Sequence, residues 1–367
     1  MSKIKNLSQA IPAEKRKLLS FKKGTKRLIK TERPYLQQPW GGILPKSCII
    51  IGGHSSVGKS YELDTLMGEI FDTDLNPNAD KFVWLNFSLE MPLFSLMLRM
   101  LSKKLGTPKE EILLDDWTDE KLKTLSPYLD EWMDGRYFLV DESIGADEYL
   151  QTVDKFCEDN KDKEAIFISI DHVVLMDADG NTTSSVNAVL RHTNTLKLKY
   201  DNVYFIYLTQ FSPAFFQRLG DRDNRSAPRD SDSFYSSQIG QVSDYNVMLV
   251  SPFSLGVTQW MNVNPERYPY LNKYMSEPDK NGKVTFESEG LLFYHLVKNR
   301  EANRNYDTLF IKELYPRVEI NKSNHQTYKS KKATDEWESL LNKNLETGRE
   351  KITPNRNINE DDFTVPF

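Results

Sequence analysis

Residues 48–60 read CIIIGGHSSVGKS, an apolar run that breaks into two glycines and ends on Lys59 and Ser60. The octet Gly53, His54, Ser55, Ser56, Val57, Gly58, Lys59 and Ser60 has the spacing of a phosphate-binding loop. Its flanks meet the condition that makes such a match specific. A buried-strand pattern precedes it, and Leu63, Leu66, Met67 and Ile70 follow at helical spacing over 59–71. Glycines let successive amides turn into one nest, and the helix N-terminus adds the positive end of its dipole. Lys59 brings a cation to the β and γ phosphates. Ser60 is placed to ligate Mg²⁺, so the stretch predicts ATP and Mg²⁺ as ligands.

Outward from this loop, short apolar runs alternate with helical periodicity. The runs at 47–52, 82–88, 137–142, 165–171, 203–209, 246–251, 290–298 and 308–315 read as strands. Helices are expected at 59–71, at 92–105 behind Pro92, and at 146–158, where Tyr149, Leu150, Val153 and Phe156 share a face. That alternation predicts an α/β fold, a mostly parallel twisted sheet with helices on both faces. The last strands lack intervening helices, so the sheet should finish in antiparallel hairpins. Residues 253–289 are polar and rich in Asn, Pro and Tyr and read as an inserted loop with little core of its own. Residues 1–34 read as a basic arm or linker, 35–320 as the main domain, and 321–367 as a flexible tail with a short helix around Glu336 to Leu345.

An ATPase needs acids around its triphosphate. AIFISID ends on Asp171, a natural partner for Mg²⁺ through its water, and FVWLNFSLE delivers Glu90 as a base that orients the attacking water. VYFIYLTQ ends on Gln210, an amide suited to sensing the γ phosphate. C-terminal strand ends are where open α/β sheets hold ligands.

The 367-residue chain is 39% hydrophobic and 28% charged, with no apolar run long enough to span a bilayer. No signal-like h-region opens it, which places it in the cytoplasm with no membrane partner. Cys48 and Cys157 read as core thiols. A net charge of -5 offers no global attraction to DNA, so any contact must be local.

These pieces, in this order, resemble the C-terminal ATPase domain of the DnaB-like replicative helicases, ring-forming RecA-like proteins, over about residues 35–320. SLEMPLFSLMLRMLS, 88–102, resembles the family segment whose Glu is the catalytic base, here Glu90. YFLVDES resembles its strand ending in paired acids, at Asp141 and Glu142. SIDHVVLM resembles its Walker B strand, with His172 where the family usually has Tyr, and LTQF its segment ending in Gln. HLVKNREANR carries Lys298 and Arg300, matching the pair that reaches the neighbouring subunit's γ phosphate. The resemblance implies a RecA-like P-loop NTPase fold, single-stranded DNA as partner and a homo-oligomer, a hexameric ring, that unwinds duplex DNA.

SDSFYSSQIGQVSDYNVML, 231–249, aligns with a channel-lining segment, but Phe234 and Tyr235 stand where the family usually has Arg and Glu. Stacking by these rings and charge from Arg218, Arg222, Arg225 and Arg229 could replace the usual DNA contact. The alternative for the arginines is a solvated loop balanced by Asp221, Asp223, Asp230 and Asp232. The family's globular N-terminal domain has no counterpart, the basic arm taking its place. EDDFTVPF, 360–367, resembles the acidic tip of bacterial single-strand binding proteins and implies a replication partner there. Other readings of the same loop are a recombination or loading ATPase without unwinding, an ATP-gated assembly, and a small-molecule kinase. No lid or acceptor pocket speaks for the kinase.

Overall fold

The computed structural model describes residues 7–22, 28–38, 41–105, 109–114, 134–175, 182–219, 227–233, 236–301 and 308–314. The chain divides into two units, 1–312 and 313–367; of the second, only residues 313 and 314 are described. The expected tail, its short helix and the acidic tip therefore lie outside the described residues. No helix among the described residues is long and apolar enough to cross a membrane.

Eight strands form the main sheet: β1 Cys48–Gly53, β2 Phe82–Ser88, β3 Tyr137–Val140, β4 Ala165–Asp171, β5 Val203–Gln210, β6 Tyr245–Val250, β9 Leu291–Asn299 and β10 Leu309–Glu313. Two more, β7 Gln259–Val263 and β8 Val284–Glu287, make a separate pair. The order in the sheet is β10-β9-β6-β1-β5-β4-β2-β3. The neighbours from β6 through β3 are parallel, whereas β9 runs antiparallel to β6. All eight runs picked from the sequence enter this sheet, with ends shifted by a few residues at most. The central strands are buried on both faces, as their unbroken apolar runs require.

The described helices are α1 Leu7–Lys22, α2 Pro34–Gln37, α3 Lys59–Phe71, α4 Leu93–Leu105, α5 Lys109–Leu114, α6 Ala146–Asp159, α7 Thr182–Lys199, α8 Pro213–Gln217 and α9 Ser236–Val242. Alternation along β1 sends Ile49 and Ile51 to one face, where Leu63, Leu66 and Ile70 of α3 cover them. Cys48 and Ile50 face the other core, shared with Tyr149 and Val153 of α6 and Val186, Val189 and Leu190 of α7. Both cysteines are free and buried, with burial pushing each thiol up to about 12.

The end of the basic arm is built into the main unit. Ile29 bridges Ile43, and Arg33 pairs with Glu69 on α3. Buried Glu62 accepts from Tyr35 Oη at 2.6 Å and Tyr294 Oη at 2.9 Å, with Arg33 at 3.3 Å. That ion pair and its two phenols lock the helix behind the phosphate loop to the sheet's far strands.

Residues 253–289 differ from the expected loop. They carry the β7–β8 pair, and Trp260, Val263, Val284 and Phe286 bury themselves with Met248 of β6 and Phe293 of β9 in a third core. The polar composition reflects the outward side of this hairpin; its inward side is aromatic and caps the edge of the sheet.

Candidate active site

The loop after β1 depends on backbone geometries that side chains resist. Gly58 sits at φ 94° as the N-cap of α3, and Ser56 at φ 59°. A Cβ on Gly53 would lie 2.7 Å from Val57 Cγ1 and 2.8 Å from the Leu249 carbonyl. The glycines here thus serve both the turn and close packing against β6.

Lys59 is 8% exposed, and its Nζ donates to the carbonyls of His54 at 2.9 Å and Gly53 at 3.3 Å. Burial lowers the lysine's pKa, while the charges of Glu90 and Asp171 oppose that shift. Both acids therefore converge on the same ammonium. His54 is buried, sharing Nδ1 with the Ser55 carbonyl at 2.8 Å and accepting from the Ser251 amide at Nε2, 3.2 Å. The second bond fixes the tautomer with the proton on Nδ1 and ties the loop to the end of β6. Ser55 and Ser56 are exposed and Val57 is buried.

Sheet register assembles the rest. Gly53 pairs with Gln210, and Ser88 with Asp171, so all four strand ends finish on one side of the sheet. Glu90 is exposed, two residues beyond β2. Asp171 is 2% exposed, and burial raises its pKa; a hydrogen bond from Ser60 and the charge of Arg99 act the other way. Its Oδ1 is buried without a hydrogen-bond partner. Such an orphaned carboxylate oxygen beside a Ser hydroxyl fits a hard cation that keeps its waters and takes phosphate oxygens as further ligands. Among the described residues no cluster of three His, Cys, Asp or Glu could hold a metal alone, as expected for an ion that enters with a nucleotide.

Arg99 is a site neighbour that the sequence reading overlooked. Its Nε lies 2.8 Å from Asp64 Oδ2 and its Nη1 donates to Met91 Sδ at 3.0 Å, joining α3, α4 and the segment after Glu90. An Arg at this spacing in an apolar helix was the available signal. His172 also stands out, buried at φ 82° with neither ring nitrogen partnered. Asp141 lies past β3 and its Oδ2 accepts from the Leu93 amide at 3.1 Å, so it serves the start of α4; Glu142 beside it is exposed.

Lys298 and Arg300 stand elsewhere. Asn299 pairs with Tyr245 at the start of β6, and Asp244 joins the Cys48 amide at the start of β1. The pair thus occupies the N-terminal edge of the parallel strands, opposite the phosphate loop. Lys298 Nζ donates to the Gly240 carbonyl, and burial lowers its pKa.

Of the residues expected on DNA, Arg222, Arg225, Phe234 and Tyr235 lie outside the described residues. Arg218 pairs with buried Asp232 and stacks over Phe215 at 6.0 Å, while Arg229 is exposed. Phe211, next to Gln210, bridges Ser233, and the Ser212 amide donates to the Asp232 carbonyl at 2.7 Å.

Comparison with solved structures finds a helicase ATPase domain at 15% identity and a TM-score of 0.58, covering 84% of this chain and 94% of that one. A DnaB-like replicative helicase, described with its interactions with primase, follows at 15% identity and a TM-score of 0.53, covering 84% of this chain and 64% of that chain. At such identities the likeness establishes the fold, which is RecA-like. No curated protein matches. The model of the DnaB-like helicase C-terminal domain matches residues 29–259, more than half of the sequence. With its phosphate loop, converging acids and opposite basic edge in place, the chain belongs to the DnaB-like helicase C-terminal domain family.

Proposed function

We propose that this protein is an ATP-dependent replicative DNA helicase that hydrolyses ATP between subunits of a ring, hexameric as the resemblance implies, and moves along single-stranded DNA. The reading is carried by one arrangement: Lys59 meets Glu90 and Asp171 at one end of the sheet, while Lys298 and Arg300 project from the other. A single chain cannot bring these groups onto one triphosphate. Head-to-tail neighbours can, because the basic edge of one subunit then faces the loop of the next.

In this reading the amides of 53–60 and Lys59 hold the β and γ phosphates, and Ser60 with Asp171 hold Mg²⁺. The ion draws charge off the bridging oxygens as the phosphoryl bond breaks. Glu90, exposed at its strand end, orients the water. Arg300 of the adjacent copy neutralises charge developing on the γ phosphate. Gln210 registers that phosphate, and the Phe211–Ser233 bridge passes its movement to the segment at 234 and 235 that aligns with the DNA channel.

A forked duplex with a labelled strand tests the proposal. Strand release that requires ATP, together with turnover stimulated by single-stranded DNA, is the expected result. Stimulated turnover without strand release would favour a loading or recombination ATPase.

A further inference from the structure

We infer that Asp244 is the positioning residue that presents Arg300 to the neighbouring subunit's nucleotide, an inference that rests on the trans role proposed above. Asp244 is 6% exposed and sits just before β6. Its Oδ2 accepts from the Cys48 amide at 2.8 Å and from Lys197 Nζ at 2.5 Å. Its Oδ1 accepts from Arg300 Nη1 at 3.0 Å, and its carbonyl accepts the Arg300 amide at 2.8 Å. Arg300 is thus gripped through both backbone and side chain by one residue that is itself anchored to β1 and α7.

The grip leaves the arginine usable. Nη2 donates to the Gln241 carbonyl at 2.6 Å, the side chain is 44% exposed, and no other described residue takes its remaining N–H groups. A guanidinium has further donors in a fixed fork, enough for bidentate contact with a phosphate. Charge points the same way. A lone carboxylate facing Arg300 would neutralise it, but Lys197 already balances Asp244, so the edge stays positive. Asp244 therefore orients the cation without cancelling its field, and orientation is where rate is gained when a bound group must meet a reacting phosphoryl.

Mixed oligomers test this. Asp244→Asn keeps an acceptor for the Cys48 amide while removing the charge that holds Arg300. Alone it should lower kcat by about 10²-fold with KM for ATP nearly unchanged. Mixed with Lys59→Ala subunits, which lack their own phosphate loop cation but present an intact Arg300, it should recover turnover several-fold above either variant. Arg300→Ala mixed with Lys59→Ala is the control for the trans role: no recovery there overturns the shared-site reading itself. Recovery in that control but not with Asp244→Asn, or unchanged kcat in Asp244→Asn, overturns the assignment of Asp244. Should Asp244→Asn not fold, Lys197→Met combined with it removes the unpaired ammonium and is scored in the same mixtures.

Discussion

Lys59 and Arg300 lie at opposite ends of β1. Lys59 follows the loop beyond Gly53, whereas Arg300 is held by Asp244, which bonds to Cys48 at the strand's start. The strand between them spans roughly 17 Å at a rise of about 3.3 Å per residue. Arg300 therefore cannot serve the phosphate loop of its own chain. Replacing it with Ala should leave ATP affinity within about twofold and reduce hydrolysis by ~10³ to 10⁵, as for other arginines supplied in trans. Steady-state kinetics beside equilibrium nucleotide binding checks this; a joint loss of both would contradict a purely trans role.

Glu90 is exposed, yet its charge reaches Lys59. Glu90→Gln keeps the shape and removes the base. Turnover should fall by about 10² to 10⁴ with nucleotide binding retained. Full activity would move the base to another residue.

Gly53 has no space for a methyl group, because Val57 and the Leu249 carbonyl stand within 2.8 Å of where a Cβ would be. Since backbone cannot yield as a side-chain tip can, Gly53→Ala should displace the loop and cost about 1 to 3 kcal/mol in stability. Chemical denaturation measures the cost, and nucleotide affinity should fall alongside it. Gly58 faces open space but sits at φ 94°, so Gly58→Ala is strained for a different reason.

His295 lies inside the third core, accepting from Trp260 Nε1 at 3.2 Å, and burial pushes its pKa down to about 3. The folded state therefore keeps it neutral, whereas the unfolded chain binds a proton near pH 6.5. Its contribution is intact above that pH and fades as pH falls toward 3, by at most about 1.4 kcal/mol per pH unit. Urea titrations followed by tryptophan fluorescence at pH 7 and pH 5 should show the loss, and His295→Gln should shrink it. An identical pH slope in that variant would remove His295 as the cause.

The phosphate loop and the eight sheet strands were legible because each is a local pattern: a fixed spacing, or an apolar run closed by a turn. Asp171 and Gln210 were legible for the same reason, as the last residues of such runs. Helix α7 went unread although Val186, Val189, Leu190 and Leu196 give it a buried stripe, because Thr and Asn interrupt the sequence between them. The β7–β8 pair was hidden by short strands whose inward residues, Trp260 and Phe286, gain meaning only against Phe293. Asp244 could not be read at all. Its partners lie 196, 56 and 47 residues away, and only the sheet register brings Cys48, Arg300 and Lys197 to one carboxylate.

ATP binding and hydrolysis measured on Lys59→Ala beside the unaltered protein is the most direct test of the central claim, that a triphosphate lies in the loop at 53–60. Both affinity and turnover should collapse in the variant while its fold, followed by circular dichroism, persists. Undiminished turnover by Lys59→Ala would contradict the account at its root.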